Sequence, residues 1–380
     1  MTKIHTKPPY RADHVGSLIR PEPLLVAREK FTKGEMDRAA LTALEDDCIR
    51  DVVKLQENAG LQGISDGEFR RRVWYADFLC GFDNVREAGM MLEVEVTGAD
   101  GVVSRNKLNG MEITGPLRRS HPIQVPSFEF LKSVTTRNPK VCIPSPSMMH
   151  FRGGRDAIDR TAYPDLDLFW ADLAKAYRVE IDDLVARGCT YLQLDDTNLA
   201  YLCDDSFRAA VKAIGEDPDA LPATYCGVIN EAIRGLPENV SVCVHLCRGN
   251  ARKGGVAAGG VARGGYEPVA EALFGTLAVD GYFLEYDDDR SGDFMPLRHL
   301  PKGKKVVLGL VTTKNPALET KDDLKRRIDE AAKVVPLEQL CLSPQCGFSS
   351  GVGRKGLNID DEARKLERVV ETALDVWGEL

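Results

Sequence analysis

Eight short runs of apolar, β-branched or aromatic residues recur along this chain, each leading into polar or Gly-rich sequence and then into helical periodicity. They fall near residues 11–16, 62–65, 140–143, 191–194, 240–244, 281–284, 306–310 and 339–342. Runs this short and this apolar fit strands buried on both faces, as in a parallel sheet covered by helices. Between them, residues 37–59 set Leu41, Leu44, Cys48, Val52 and Leu55 on one helical face ahead of Gly60. Residues 168–187 repeat the pattern with Leu173, Tyr177, Ile181 and Leu184 ahead of Gly188, and 360–377 carry Leu366, Val370, Leu374 and Trp377 as a closing helix would. The expected fold is therefore α/β, a (β/α)8 TIM barrel. A doubly wound sheet is disfavoured because no Gly-x-Gly-x-x-Gly follows any early strand.

Residues 1–380 are read as one such barrel, since a barrel with insertions can use a chain of this length. Residues 85–125 alternate like a β-hairpin and contain the turn signals Gly-Ala-Asp-Gly and Asn-Gly, which predicts an insertion between strands two and three. GGVAAGGVARGG, residues 254–265, lacks the Gly-Lys-Ser/Thr ending of a phosphate loop, so no nucleotide site is expected. Its position suggests closure over substrate instead.

Charge narrows the partners. Fifty basic and 58 acidic residues give a net charge of -8 with no long run of one sign, so neither nucleic acid nor membrane is expected. No stretch reaches the roughly 20 apolar residues of a membrane span, and the N-terminus lacks a signal-peptide core, which predicts a cytoplasmic protein. The ten cysteines are then free thiols or metal ligands. Small molecules are the natural partners, and a homo-oligomer is compatible with the composition.

In a barrel, catalytic groups sit at the C-terminal strand ends. VCVHLC ends one run with His245 and Cys247, spaced so that both leave the same face of an extended chain; YFLE ends another with Glu285; QLCLSPQC ends the last with Cys346. Two thiolates, an imidazole and a carboxylate suit tetrahedral zinc. A lone His-x-Cys is more often a pair of core residues, and spacing of all four residues by itself leaves both readings open.

Six motifs in order, DHVGSL, ISDGEF, YLQLDD, VHLC, FLEYDDDRS and LSPQCGF, resemble the catalytic barrel of cobalamin-independent methionine synthase, and more closely its short single-barrel relatives. The resemblance runs from about residue 10 to residue 375. It implies zinc held by His245, Cys247, Glu285 and Cys346, and homocysteine held by Ser17, Glu68 and Asp195, with His14 beside them. Glu68 and Asp195 are the implied catalytic residues. Carboxylates suit an ammonium, and the hydroxyl and backbone donors near Ser17 suit a carboxylate. The implied activity is that of a 5-methyltetrahydropteroyltriglutamate-homocysteine methyltransferase, with a folate or other methyl donor.

Three departures fall on the donor side. The family's catalytic His before the last Cys is absent from GLVTTKNP, which offers Thr312 and Thr313. The family's Asp-Glu-Pro reads Asp195, Asp196, Thr197, and the full-length synthase's extra N-terminal barrel has no counterpart in this length. Two competing readings follow: a zinc-dependent alkyltransferase acting on another thiol such as coenzyme M, resembling the epoxyalkane transferases, and a non-catalytic barrel braced by zinc.

Plainer expectations stand beside these. Cys48, Cys80, Cys142, Cys189, Cys203, Cys226, Cys243 and Cys341 are taken as structural, and His5, His121 and His299 have no functional context. His150 is expected to line the pocket. Asp288 and Asp289 are expected in a solvated loop, with Asp287 nearer the pocket. Arg70, Arg71 and Arg72 follow the Glu68 motif and could meet an anionic substrate group, but read first as surface charge; Trp74 and Tyr75 could stack on a flat donor, but read first as packing.

Overall fold

The computed structural model describes residues 7–97, 103–249, 262–349 and 356–380. Seven parallel strands form one sheet: β1 (Gly63–Ile64), β4 (Asn138–Pro144), β5 (Tyr191–Asp196), β6 (Ser241–Leu246), β7 (Gly281–Glu285), β8 (Lys305–Val311) and β9 (Leu340–Pro344), hydrogen-bonded in that order. The remaining two, β2 (Asp83–Thr97) and β3 (Val103–Arg118), form an antiparallel hairpin.

Seven of the eight apolar runs are thus strands of one curled sheet. The first, 11–16, makes only an isolated bridge from Ala12 to Leu342 of β9. Its backbone bonds go to Leu342: Asp13 N–H reaches Leu342 O at 3.0 Å and Leu342 N–H reaches Arg11 O at 2.9 Å, while just beyond the run Leu18 N–H reaches Gly67 O at 3.1 Å. Gly16, at φ +118, breaks the extended run between them.

The hairpin lies where it was expected but is bounded differently. It begins at Asp83 and ends at Arg118, and a helix follows at Val125–Val134. Asn109 and Gly110 do not turn the chain. They lie inside β3, opposite register shifts at Met90, and the space of the missing Gly110 side chain is taken by the Met91 sulfur. The Gly-Ala-Asp-Gly turn lies outside the described residues, as do His5 and all but the end of the Gly-rich stretch.

Helices cover the sheet. Arg38–Ala59 starts with Asp37 accepting the Ala40 N–H and stops at left-handed Gly60. Its buried face is rotated from the apolar stripe: Leu41, Ile49 and Val52 are buried, but Leu44, Cys48 and Leu55 only partly. Glu45 and Gln56 are buried instead, because arginines neutralise Glu45 and Gln56 exchanges two 2.9 Å hydrogen bonds with Ser65. Leu166–Ala186 buries Leu173, Tyr177, Ile181 and Leu184 as its spacing predicts. The closing helix Ile359–Trp377 opens with a reciprocal Asn358–Asp361 capping box, worth about 1 kcal/mol.

Inside the curl, Tyr10, Val15, Tyr191, Cys243, Phe283, Val307 and Cys341 form a core separate from the large one between sheet and helices. Lys140 is buried beside it, paired with Asp13 at 3.0 Å, with Tyr191 OH also donating to Asp13 at 2.7 Å. Because strand side chains alternate with period two, the next inward positions along β5 to β9 are Gln193, His245, Glu285, Gly309 and Ser343. The apolar floor gives way to polar chemistry within one step along the strands.

Candidate metal centre and adjoining pocket

Ligand atoms of His245, Cys247, Glu285 and Cys346 all lie within 4.8 Å of one another. His245 comes from β6 and Glu285 from the last residue of β7; Cys247 and Cys346 follow β6 and β9. The two sulfurs are 3.2 Å apart. Gly309 of β8 makes room for this convergence, since a Cβ there would stand 2.7 Å from Gln345 Cα.

Each donor is costly without a cation. Both ring nitrogens of His245 are buried with no oxygen or nitrogen partner among the described residues. Burial, only partly offset by Arg290, raises the Glu285 carboxyl to about 7. The neighbouring Cys346 and burial push the Cys247 thiol well up. A tetrahedron around zinc has edges of about 3.3–3.8 Å, so donors within 4.8 Å of one another close on an ion with shifts of no more than about 1 Å, the two sulfurs opening from 3.2 Å by about half an ångström. The donor set therefore fits zinc in number, chemistry and spacing.

Outer groups hold Glu285. The Arg248 N–H donates to Oε1 at 2.7 Å, and Arg290 Nη2 to Oε2 at 2.6 Å. Arg290 Nη1 also reaches Gly249 O at 2.9 Å, tying the Glu285 strand to the turn that carries Cys247.

Beside the four ligands, β5 and β6 pair Asp195 with His245 in register. Asp195 Oδ1 accepts from Gln193 at 2.7 Å, and its carboxyl is raised to about 6, first by burial. Glu68 lies in electrostatic contact with Asp195, buried, with Oε2 lacking a hydrogen-bond partner among the described residues. Burial, opposed by Arg71 and reinforced by Asp195, raises it to about 8. Its backbone sits at φ +60, a conformation rare outside glycine. Ser17 borders Gly347, where any Cβ would stand 1.8 Å from the Ser17 hydroxyl. His14 is buried, with Nε2 3.0 Å from Gly63 O and Nδ1 unpartnered among the described residues; burial and Lys140 lower its pKa to about 4, so the ring is neutral.

Other expected residues go elsewhere. His150 does not line this pocket: it contacts Tyr225 OH at 3.0 Å and Glu216 at 3.2 Å, with its ring against Trp170. Asp287 is held by Lys314 at 2.9 Å. Asp196 accepts from Ser147 Oγ at 2.6 Å and Leu199 N–H at 2.7 Å. Thr313 is buried, its N–H on Gln345 Oε1 at 2.6 Å and its hydroxyl on Gly347 O at 3.3 Å, while the Thr312 N–H meets Glu319. Of the three arginines, Arg70 pairs with Glu45 and Asp46, and Arg72 with Glu87. Arg71 alone is buried, 3.9 Å from Glu68. Tyr75 packs in the main core with Trp74 against it. Arg71 thus departs from the surface reading toward the pocket alternative, and Arg290 was not anticipated, although its place in an acidic run five residues after Glu285 was an available signal.

Against known proteins, a profile described as the catalytic domain of cobalamin-independent synthase matches residues 272–373. YxjH of Bacillus subtilis strain 168, an uncharacterized protein, is 42% identical over 379 residues, covering 99% of this chain and 97% of its own. A solved structure from Listeria monocytogenes, provisionally assigned as a vitamin-B12-independent methionine synthase, is 37% identical, covers 99% of this chain and 100% of that one, and superposes with a TM-score of 0.78.

The chain belongs to the cobalamin-independent methionine synthase family.

A member of that family named methionine synthase, from Pyrococcus abyssi, is 25% identical over 335 residues, which is 88% of this chain and 85% of its own. Family membership thus extends to short proteins of similar length. Within this family, the motifs bearing Cys346 and Glu285 fall inside the profile match, while His245, Cys247, Glu68 and Asp195 fall before it.

Proposed function

We propose that this family member is a zinc-dependent methyltransferase that carries a methyl group to the thiol of homocysteine, giving methionine. One observation carries the reading: Asp195 and His245 are register partners, so the buried Glu68–Asp195 carboxylate pair adjoins the four-ligand cluster. An amino acid that bears a thiol spans those two features.

Zinc held by His245, Cys247, Glu285 and Cys346 would lower the pKa of a bound thiol, so that the acceptor sulfur is a thiolate at neutral pH. Glu68 and Asp195 then receive the substrate ammonium, whose charge offsets the cost of ionising two buried carboxyls side by side. The Ser17 hydroxyl and nearby backbone donors receive the substrate carboxylate. Held at both ends, the acceptor presents its sulfur in one orientation to the methyl donor.

A sulfonate thiol such as coenzyme M has no ammonium for the carboxylate pair, so homocysteine is favoured. A purely structural zinc would leave the buried Glu68 Oε2 without purpose. On the donor side, Thr313 is committed to the 345–347 turn, so the family's catalytic His has no replacement there. We read residues 10–18 as closing the sheet between β9 and β1 into a barrel, supported by their bonds to both sides.

The zinc-loaded protein is incubated with homocysteine and either methyltetrahydrofolate or methylcobalamin, and methionine is measured. Methionine from either donor supports the reading. No methionine from either, together with no alkylation of homocysteine by methyl iodide, contradicts it.

A further inference from the structure

The two halves of the site stand on different loops: Glu68 on the turn after β1, and Cys346 on the turn after β9. Residues 17–20 run between them. Ser17 O accepts the Phe348 N–H at 2.9 Å, and the Leu18 N–H donates to Gly67 O at 3.1 Å. Arg20 follows, 5% exposed. Its Nη1 donates to Ser349 O at 2.5 Å and to Ser349 Oγ at 3.2 Å; its Nη2 donates to Glu68 O at 3.1 Å and Arg71 O at 3.2 Å. One planar fork makes two bonds to each loop.

We propose that Arg20 is a positioning residue that fixes the spacing between the ammonium pocket at Glu68 and the ligand loop of Cys346, so that thiol activation favours an acceptor carrying an amino group. This rests on the function proposed above. Glu68 occupies a left-handed conformation that persists only where its surroundings over-determine it. Arg20 bonds the carbonyl of that same residue, and Arg28 holds the carbonyls of Phe69 and Arg71 just beyond. Arg71 cannot take over the coupling, because it stands on the same loop as Glu68. Lysine cannot take it over either, because an ammonium lacks the planar geometry that serves both loops at once.

The test compares zinc-loaded wild type and Arg20→Lys, with methyl iodide as donor, on homocysteine and on 4-mercaptobutyrate, which is homocysteine without its amino group. In each reaction the sulfur–methyl bond forms, the carbon–iodine bond breaks and iodide leaves. For Arg20→Lys, kcat/KM on homocysteine should fall about 10- to 100-fold, the range for loss of a supporting group, while 4-mercaptobutyrate changes by less than about threefold. Guanidinium added to Arg20→Ala should restore part of the preference for homocysteine, and calorimetric titration should show homocysteine binding weakened in Arg20→Lys while zinc content and 4-mercaptobutyrate binding stay close to wild type. Equal losses on both thiols make Arg20 a mere brace and overturn the inference, as does a wild-type preference retained in Arg20→Lys. If Arg20→Lys does not fold, Arg20→Gln carries the same comparison. A wild type that alkylates neither thiol defeats the functional reading, and the inference with it.

Discussion

The sulfurs of Cys247 and Cys346 lie 3.2 Å apart although 99 residues separate them in sequence. Cys247 follows β6 and Cys346 follows β9, with β7 and β8 between, so the pair meets only because the sheet curls. The cluster therefore exists only in the folded chain, unlike a zinc finger built from local turns.

That dependence predicts the effect of losing one ligand. Cys346→Ser should lose most bound zinc and all thiol alkylation while keeping its secondary structure. Metal analysis of the purified variant checks this; unchanged zinc content would remove Cys346 from the ligand set.

The acceptor pocket makes a separate prediction. Asp195→Asn removes one carboxylate of the pair that faces the ammonium but leaves the metal ligands in place. Homocysteine binding should weaken by about 2 kcal/mol or more, and binding of 4-mercaptobutyrate much less. Calorimetric titration of zinc-loaded protein decides it, and equal weakening of the two ligands counts against the assigned role.

Protonation of the same pair sets a pH dependence. Burial first, reinforced by Asp195 against the pull of Arg71, raises Glu68 to about 8, and burial raises Asp195 to about 6. Both lie above the ordinary carboxyl range of about 4, so through this window the folded chain holds protons that the unfolded chain has released. Stability of the substrate-free protein should therefore fall as pH rises from about 5 toward 8. Homocysteine binding should strengthen over the same rise and release protons, since its ammonium replaces them. Titrations in buffers of different ionisation enthalpy measure the release, and affinity that does not vary between pH 6 and 8 would count against it.

Gly347 tests the close approach beside Cys346. A Cβ there would sit 1.8 Å from Ser17 Oγ and 3.1 Å from Ser17 Cβ, so Ser17 has to move. Gly347→Ala should cost about 1–3 kcal/mol of stability, as overpacking does, and should weaken homocysteine binding. Urea unfolding and ligand titration check the two effects, and an unaltered unfolding midpoint would show that the segment shifts freely.

Much of this site was legible because chemistry and strand pattern coincide. His245, Cys247, Glu285 and Cys346 all end or closely follow apolar runs, where period-two alternation carries the inward face past its apolar floor. Arg20 gave no such signal. It lies between an apolar pair and a proline in LIRPEP, and its partners Glu68, Arg71 and Ser349 are far away in sequence. Lys140 was equally silent, since a lysine at a strand edge reads as solvated until Asp13 and the rings of Tyr191 and Phe283 are seen around it. The 11–16 run looked like a full strand because it is buried, but it makes only an isolated bridge to Leu342, and the bond toward the β1 side comes from Leu18 beyond it. His150 followed an apolar run and seemed to face the pocket; Tyr225 and Glu216, both distant in sequence, turn it to other work.

The most direct test of thiol activation at this site is zinc stoichiometry combined with zinc-edge X-ray absorption, with and without homocysteine. One zinc per chain is expected, with two sulfur ligands alone and a third when homocysteine is added. A protein that binds no zinc, or a zinc shell that homocysteine leaves unchanged, would contradict it.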